Sequence, residues 1–196
     1  DVALVREIGP RIRATVWRDQ CDAFDEGAAA TAWFSDHLGI TARLVRLAGD
    51  DARPLATPAA EPGDRVSFAD AYPFLLLSQG SLDQLNRRLN LPLPMDRFRP
   101  NIVVEGCPPH AEDEWTMVRI GEVDFRVAKP CARCVVITTN QQTGERGPEP
   151  LQTLATYRLR DGEVLFGQNL VHTRSGVIRI GDPAVVLGRS MASCDN

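Results

Sequence analysis

The spacing of apolar and polar residues predicts an α/β arrangement at the start of the chain. Residues 11–17 alternate with a period of two, which indicates a half-buried strand. Residues 25–38 combine an acidic start, an alanine-rich stretch and apolar residues at helical spacing, and Gly39 is a natural terminator, so we predict a helix there. A short strand is predicted over 42–47. The Pro-, Gly- and Ala-rich stretch 49–64 then predicts a loop and a boundary between two parts of the chain.

Downstream of that loop the pattern predicts mainly strands. An apolar strand over 74–77 precedes a short helix over 81–89, for which Ser81 is the expected N-cap. Three leucines at helical spacing form its predicted buried stripe, namely Leu82, Leu85 and Leu89. Strand-like segments separated by turns follow at 101–104, 117–120, 123–127, 135–139, 177–180 and 184–187. Their spacing predicts a closed or sandwiched all-β body.

Composition indicates a globular protein and argues against two classes of partner. Apolar residues make up 43% of the 196 positions, and no stretch approaches the roughly 20 apolar residues that span a bilayer, so we expect no membrane partner. The formal net charge of −4 offers no basic field to a phosphate backbone, so we expect no nucleic acid partner. Lys129 is the only lysine of the chain. The three tryptophans are expected to anchor the core, namely Trp17, Trp33 and Trp115.

The cysteine content argues against a secreted disulfide scaffold. Five cysteines, an odd number, are widely scattered in a chain for which we expect no signal peptide. We therefore expect a reducing, cytoplasmic environment. The chain begins at Asp1 rather than Met, and we expect that further residues upstream lie outside it.

The segment Cys131-Ala-Arg-Cys134 is the clearest candidate for chemistry. It lies between strand-like segments at 125–128 and 135–139, which would hold at least one sulfur on a rigid element. Three nearby cations favour the thiolate, the form of cysteine that binds metals or attacks electrophiles. They are Arg126, Lys129 and Arg133.

Three other interpretations of this Cys-x-x-Cys motif stay open on the residues alone. Both cysteines could be buried without a role. A four-ligand zinc site needs a second ligand pair, and the remaining candidates show no paired spacing, namely Cys107, Cys194, His37, His110 and His172. A thioredoxin-like redox disulfide expects a helix after the motif, whereas a strand is predicted here. The residues by themselves support a functional and a structural role about equally.

An ordered series of motifs resembles the MOSC family. The motifs are Asp96-Arg-Phe-Arg-Pro-Asn-Ile-Val-Val-Glu-Gly, Glu112-Asp-Glu-Trp, Cys131-Ala-Arg-Cys, Glu149-Pro-Leu-Gln-Thr-Leu, Phe166-Gly-Gln-Asn and Ile180-Gly-Asp. The resemblance covers about residues 65–188, and its nearest branch is that of the bacterial relatives of the mitochondrial amidoxime-reducing component. It implies a mainly β fold, a MOSC-type β-barrel with a few short helices over 56–196. A partial α/β N-terminal segment over 1–55 would precede that domain.

The resemblance also implies a cofactor and the residues that contact it. In that branch the second cysteine of Cys-x-x-Cys ligates molybdenum, which implies Cys134 as metal ligand and catalytic residue, with Cys131 in a supporting place. The Arg-Pro-Asn motif supplies anion- and pterin-binding groups, which implies Arg99 and Asn101, and an Arg fork and an Asn amide suit those ligands. The further implied contacts to the molybdenum cofactor, molybdopterin, are Asp70, Ala71, Tyr72, Ala132, Arg133 and Asn169.

The function implied by the resemblance is a molybdenum-dependent oxidoreductase that reduces N-hydroxylated or N-oxide-type small molecules. Its electrons would come from a donor protein that carries flavin, haem or an iron–sulfur centre. The alternatives are a non-catalytic carrier of the cofactor or a sulfur-transfer accessory module, and a structural β-domain with inert cysteines. In the branch, a strand and a Lys-Ser-containing loop at the amino terminus also contact the cofactor, and the sequence holds no counterpart before Asp1.

Overall fold

The computed structural model describes residues 9–48 and 52–190, which form two compact units that divide between Ala71 and Tyr72. The boundary predicted after residue 55 concerns the family's segments and stays a prediction. Residues 49–51 of the predicted loop lie outside the described residues, as does Cys194. No helix among the described residues is long and apolar enough to cross a membrane.

The first unit is a small α/β structure, as the hydrophobic pattern predicts. Its strands β1 and β2 form an antiparallel hairpin, and β3 adds to β2. The helix α1 connects β2 to β3 and ends at Gly39, whose left-handed φ of 67° suits glycine. The elements are β1 (Arg11–Val16), β2 (Asp19–Asp25), α1 (Ala28–Leu38), β3 (Val45–Leu47), and the short pair β4 (Arg53–Pro54) and β5 (Arg65–Val66).

Two expectations for the first unit are wrong. The helix starts three residues late, because Asp25 ends β2, accepts a hydrogen bond from the amide of Gly27 and pairs with Arg43. Trp17 and Trp33 are not core anchors, since they are 76% and 58% exposed. Trp17 lies in the turn between β1 and β2, where its indole is held at the surface by Asp70 through a hydrogen bond of 3.2 Å.

The second unit is mainly β, as predicted. Its curled sheet has the order β12-β8-β9-β11-β6-β7, with β10 paired to β11, and only β6 and β7 are parallel neighbours. Its strands are β6 (Phe74–Ser78), β7 (Ile102–Val104), β8 (Trp115–Ile120), β9 (Val123–Ala132), β10 (Leu159–Arg160), β11 (Glu163–His172) and β12 (Ala184–Arg189). One face covers an apolar cluster around Leu76, Val118, Phe125 and Leu170.

Short helices cover the other face of the sheet and enclose a second apolar cluster. They are α2 (Gln79–Asn86), α3 (Leu151–Arg158) and the 3-10 helices Met95–Phe98, Ala111–Glu114 and Val135–Thr138. Leu82 and Leu85 are buried in this cluster and Leu89 packs against it, as their spacing predicts. The N-cap of α2 is Ser78 and not Ser81, because the Ser78 hydroxyl accepts the amide of Ser81 at 3.1 Å.

Two of the strands predicted for this unit are absent from the described residues. Residues 135–139 form a 3-10 turn instead, which places Ile137 in the second apolar cluster at 2% exposure. Residues 177–180 form no strand, and Ile180 is fully exposed. Both segments are short apolar runs, a pattern that by itself does not distinguish a strand from a buried helical turn.

Candidate functional site

The two cysteines of the motif occupy different environments at the end of β9. Cys131 is the second-last residue of β9 and is half-buried. Cys134 is exposed and is the N-cap of the 3-10 helix Val135–Thr138. The interpretation as two buried cysteines is therefore wrong for Cys134. The predicted strand after the motif is wrong, because a 3-10 helix follows Cys134, so the following element does not exclude a redox disulfide.

Arg133 connects the cysteine loop to its surroundings. Its Nη1 donates to the Sγ of Cys131 at 3.2 Å, and its Nη2 donates to the carbonyl oxygen of Phe98 at 2.7 Å. The guanidinium carbon lies 5.8 Å from the centre of the Phe98 ring. Arg133 Nε is buried and has no hydrogen-bond partner in the described part of the chain. Arg133 thus faces Cys131 while the Cys134 thiol stays open to solvent.

A β-bulge in the neighbouring strand faces Cys131. Leu165 pairs with Ala132 and Gln168 pairs with Pro130, so the two residues Phe166 and Gly167 lie opposite the single residue Cys131. Gly167 has a φ of 82°, and a Cβ there would lie 2.8 Å from the carbonyl oxygen of Leu76. Glycine is required at this position because both the conformation and the close strand approach exclude a side chain.

The two predicted asparagines lie in one row across the sheet, next to the cysteine loop. Asn169 pairs with Lys129 on one side and with Leu75 on the other, and directly paired residues share a face. Asn101 exchanges two hydrogen bonds with the backbone of Leu75, of 2.8 and 3.0 Å. The Nδ2 of Asn169 donates to the carbonyl oxygen of Pro130 at 3.3 Å, immediately before Cys131.

Arg99 stands beside the same loop. It is the left-handed residue, at φ 56°, that ends the 3-10 helix Met95–Phe98, and it directly follows the Phe98 carbonyl that Arg133 binds. Its side chain is exposed and makes no hydrogen bond or ion pair with any residue of 9–48 or 52–190. The guanidinium is therefore available to an external anion.

The segments that build this site carry positive charge only. Residues 98–104, 127–137 and 165–170 contain Arg99, Lys129 and Arg133 and no Asp or Glu. Such a surface favours an anionic ligand. Within the described residues, no group of three or more His, Cys, Asp or Glu side chains could hold a metal ion. A metal at Cys134 would therefore need most of its ligands from a cofactor.

The predicted residues are gathered only in part. Arg99, Asn101, Ala132, Arg133, Cys134 and Asn169 all belong to the second unit. Hydrogen bonds connect three of them to the surrounding backbone, namely Asn101 to Leu75, Arg133 to Phe98 and Asn169 to Pro130. Asp70 and Ala71 belong to the first unit and Tyr72 to the second, so their contribution to the site stays a prediction. Phe98, Pro130 and Leu75 were missed because they act through backbone groups, which leave no signal in the sequence.

A buried polar network behind the site was also missed. Asp113 accepts hydrogen bonds from Gln168 Nε2 and from Arg158, both at 2.7 Å, and Arg158 Nε donates to the carbonyl oxygen of Leu165. These contacts fix both ends of the bulge that faces Cys131. The Glu112-Asp-Glu-Trp motif was the available signal, but the sequence does not reveal which buried groups it meets.

The comparisons with known proteins agree with the motifs. Residues 63–185 match the family model of the MOSC domain. The chain is 37% identical over 194 residues to mitochondrial amidoxime-reducing component 1 of Mus musculus, covering 92% of this chain and 57% of that protein. It is 40% identical over 137 residues to the Homo sapiens protein of the same name, covering 65% of this chain and 41% of that one.

A second kind of relative is the molybdenum cofactor sulfurase of Oryza sativa subsp. japonica, to which the chain is 34% identical over 167 residues. That alignment covers 76% of this chain and 20% of the sulfurase. The chain thus spans about half the length of the amidoxime-reducing relatives and a fifth of the sulfurase. With more than half of its residues matched by the family model and most of it aligned to these relatives, the chain belongs to the MOSC domain family.

Proposed function

We propose that the chain binds the molybdenum cofactor, with the thiolate of Cys134 as the protein ligand of the metal. The observation that carries this proposal is the exposed Cys134 thiol, whose own segment and the neighbouring 98–104 together carry Arg99, Lys129 and Arg133 and no acid. The names of the relatives support it, since they denote amidoxime-reducing components and a molybdenum cofactor sulfurase.

The chemistry of the site fits this cofactor. Thiolate is a soft ligand, and a single protein thiolate is sufficient where a pterin dithiolene supplies further sulfur. Arg99 provides an unpartnered guanidinium fork that suits a phosphate, and Asn101 and Asn169 lie on either side of Leu75 in one row of the sheet. The unpartnered Nε of Arg133 is a further donor beside the loop.

Cys131 has a supporting role in this proposal. Its sulfur accepts a hydrogen bond from Arg133 and faces the Phe166–Gly167 bulge, so it is held by the protein and not presented to solvent as Cys134 is. Arg133 would orient the loop and add positive charge near the metal thiolate, the kind of outer contact that tunes a metal site.

The reaction we propose is the reduction of an N-hydroxylated small molecule, such as an amidoxime. When bound, the cofactor supplies two-electron redox chemistry: the substrate gains two electrons and two protons, its N–O bond breaks, and the oxygen leaves as water. The electrons come from a donor protein that carries flavin, haem or an iron–sulfur centre. The chain's own residues hold the metal, bind the pterin and leave the Cys134 side open for substrate.

Molybdenum per chain, measured by plasma mass spectrometry with pterin fluorescence after oxidation, tests the ligand. In a cofactor-competent host we expect Cys134→Ser to lose the metal and Cys131→Ser to lose only part of it. Cys107→Ser removes a half-buried thiol outside the site and serves as the matched control. Equal molybdenum content in the wild type and in Cys134→Ser would refute the ligand assignment.

A second candidate function is a non-catalytic carrier or sulfur-transfer module, which the similarity to the molybdenum cofactor sulfurase favours. Turnover separates the two. The oxidoreductase consumes benzamidoxime in the presence of a chemical reductant and returns benzamidine, whereas the carrier passes its cofactor to an acceptor apoprotein without turnover.

A further inference from the structure

A cleft of about 410 Å³ lies beside the two 3-10 helices that adjoin the cysteine site. Arg97 and Thr138 line it, and they belong to the helices Met95–Phe98 and Val135–Thr138, which precede Arg99 and follow Cys134 respectively. A 3-10 helix rises about 2 Å per residue, so Thr138 is roughly 8 Å along the backbone from Cys134. The cleft is therefore close to the proposed cofactor site but separate from it.

Three arginines line this cleft, and two of them lack a partner. Arg97 and Arg146 make no ion pair and no side-chain hydrogen bond within the described ranges, and Arg97 Nε is buried. Arg88 lies with its guanidinium carbon 4.4 Å over the Tyr157 ring and donates to the carbonyl oxygen of Gln84. A buried guanidinium nitrogen without an acceptor is costly unless a ligand or water supplies one.

The two acids of the same cleft form no ion pair with its arginines in the described residues. Glu149 Oε2 accepts the backbone amide of Thr153 at the start of α3, and Glu145 Oε2 accepts the hydroxyl of Thr143 in the hairpin turn. With three arginines against two carboxylates, the lining keeps a net positive charge toward a ligand.

Part of the wall is apolar, beside the polar Asn90, Thr138 and Asn140. Leu89, Leu91 and Leu93 line the cleft, and Leu91 is 77% exposed. Pockets of a few hundred Å³ that combine an apolar wall with a few polar groups are typical of small-molecule sites. The arginines supply the cationic groups of this cleft, and the leucines supply its apolar surface.

We propose that this cleft binds a small molecule that has an apolar body and an anionic carboxylate or phosphate head. The head lies between Arg97 and Arg146, whose guanidinium groups match oxyanions in geometry and charge. The body covers the exposed Leu91. The proposal does not depend on the molybdenum cofactor, since none of its residues takes part in the proposed cofactor site.

Titration of the full chain with four probes tests the proposal. Benzoate and phenyl phosphate carry the same ring with two different heads, benzamide carries the ring without a charge, and inorganic phosphate carries a head without a ring. Binding is followed by calorimetry and by the amide shifts of isotope-labelled protein. We expect either benzoate or phenyl phosphate to bind about tenfold more tightly than benzamide and inorganic phosphate. Whichever of the two binds more tightly shows whether the cleft prefers a carboxylate or a phosphate.

Variants connect the binding to the cleft. Arg146→Gln, on an exposed hairpin, and Arg97→Gln should each weaken the binding of the better anion about tenfold, the usual effect of losing a charge-assisted hydrogen bond. Leu91→Ser should weaken benzoate and benzamide equally. Arg160→Gln removes an exposed arginine outside the cleft and should change nothing. The proposal is overturned if neither benzoate nor phenyl phosphate binds more tightly than benzamide. It is also overturned if the wild type and Arg146→Gln bind the better anion equally.

Discussion

Arg133 Nη2 donates a hydrogen bond of 2.7 Å to the carbonyl oxygen of Phe98. Through this bond the loop that carries Cys134 is tied to the helix that ends at Arg99. The Arg133 side chain therefore holds together the segments of the proposed metal ligand, Cys134, and of the proposed anion-binding residue, Arg99.

Arg133→Lys should separate these two segments. Lysine cannot reach Cys131 Sγ and the Phe98 carbonyl together, because it lacks the planar fork. We expect the free energy of unfolding to fall by about 1–3 kcal/mol, and molybdenum retention to fall with it. Urea unfolding and metal content measure the two effects. Arg160→Lys is the control, and identical values for both variants would contradict the bridging role.

Gly167→Ala should destabilise the protein more than Gly162→Ala. Both glycines have φ near 80°, but an added Cβ meets nothing within 4 Å at position 162 and meets the Leu76 carbonyl at 2.8 Å at position 167. We expect a loss of about 1 kcal/mol at Gly162 from the left-handed backbone alone. The loss at Gly167 should be larger by about 1–3 kcal/mol, because β6 or β11 must shift. Equal urea midpoints would show that the strands adjust freely.

Arg158→Met should be among the most damaging substitutions of a charged residue. It leaves the partly buried Asp113 without its counter-ion and the Leu165 carbonyl without its donor, at a cost of about 3–5 kcal/mol. Arg189→Met removes an ion pair in which both side chains are more than half exposed, and should cost about 0–1 kcal/mol. Chemical denaturation of the two variants compares them directly, and similar losses would argue against the buried network.

His110 should make the protein less stable as the pH falls. Burial, followed by the charge of Arg158, lowers the pKa of His110 from its ordinary value of 6.5, against the opposite effects of Asp113 and Glu112. The unfolded chain therefore takes up a proton at this residue before the folded chain does. The contribution of His110 to the free energy of unfolding is fully present above about pH 6.5 and is lost as the pH falls through the pKa of the folded state.

Urea midpoints between about pH 8 and about pH 5.5 measure this dependence. His110→Asn, which suits the left-handed backbone at φ 61°, should flatten it. His37→Asn alters an exposed histidine of α1 and should leave it unchanged. A slope that survives in His110→Asn would assign the effect to other groups.

The sequence predicts the secondary structure best where local patterns coincide with burial. The helical leucines of α2 satisfy both conditions, and the alternation at β1 matches its alternation of exposed and half-buried residues. Gly39 ends α1 for a purely local reason, its left-handed backbone. Residues 135–139 fail because a run of β-branched residues favours a strand, whereas packing of Ile137 against the second apolar cluster requires a turn. Local propensity is too weak to oppose the burial of an isoleucine.

The site is only partly predictable for a different reason. Motif resemblance identifies side chains such as Cys134 and Arg99, because the residue type alone determines that they carry a thiol and a guanidinium group. The contacts that hold them use the carbonyl oxygens of Phe98 and Pro130, and any residue provides such an oxygen. The buried partners of Arg158 also come from distant segments, so only the fold reveals them.

The single lysine gives the protein a practical property. Lys129 is exposed, lies two residues before Cys131 and pairs with Asn169. Apart from the amino terminus, an amine-reactive dye therefore has one target in the whole chain, and that target is at the edge of the proposed site. A fluorescent label on Lys129 can therefore report the binding and release of a ligand at the proposed site in real time, without any substitution.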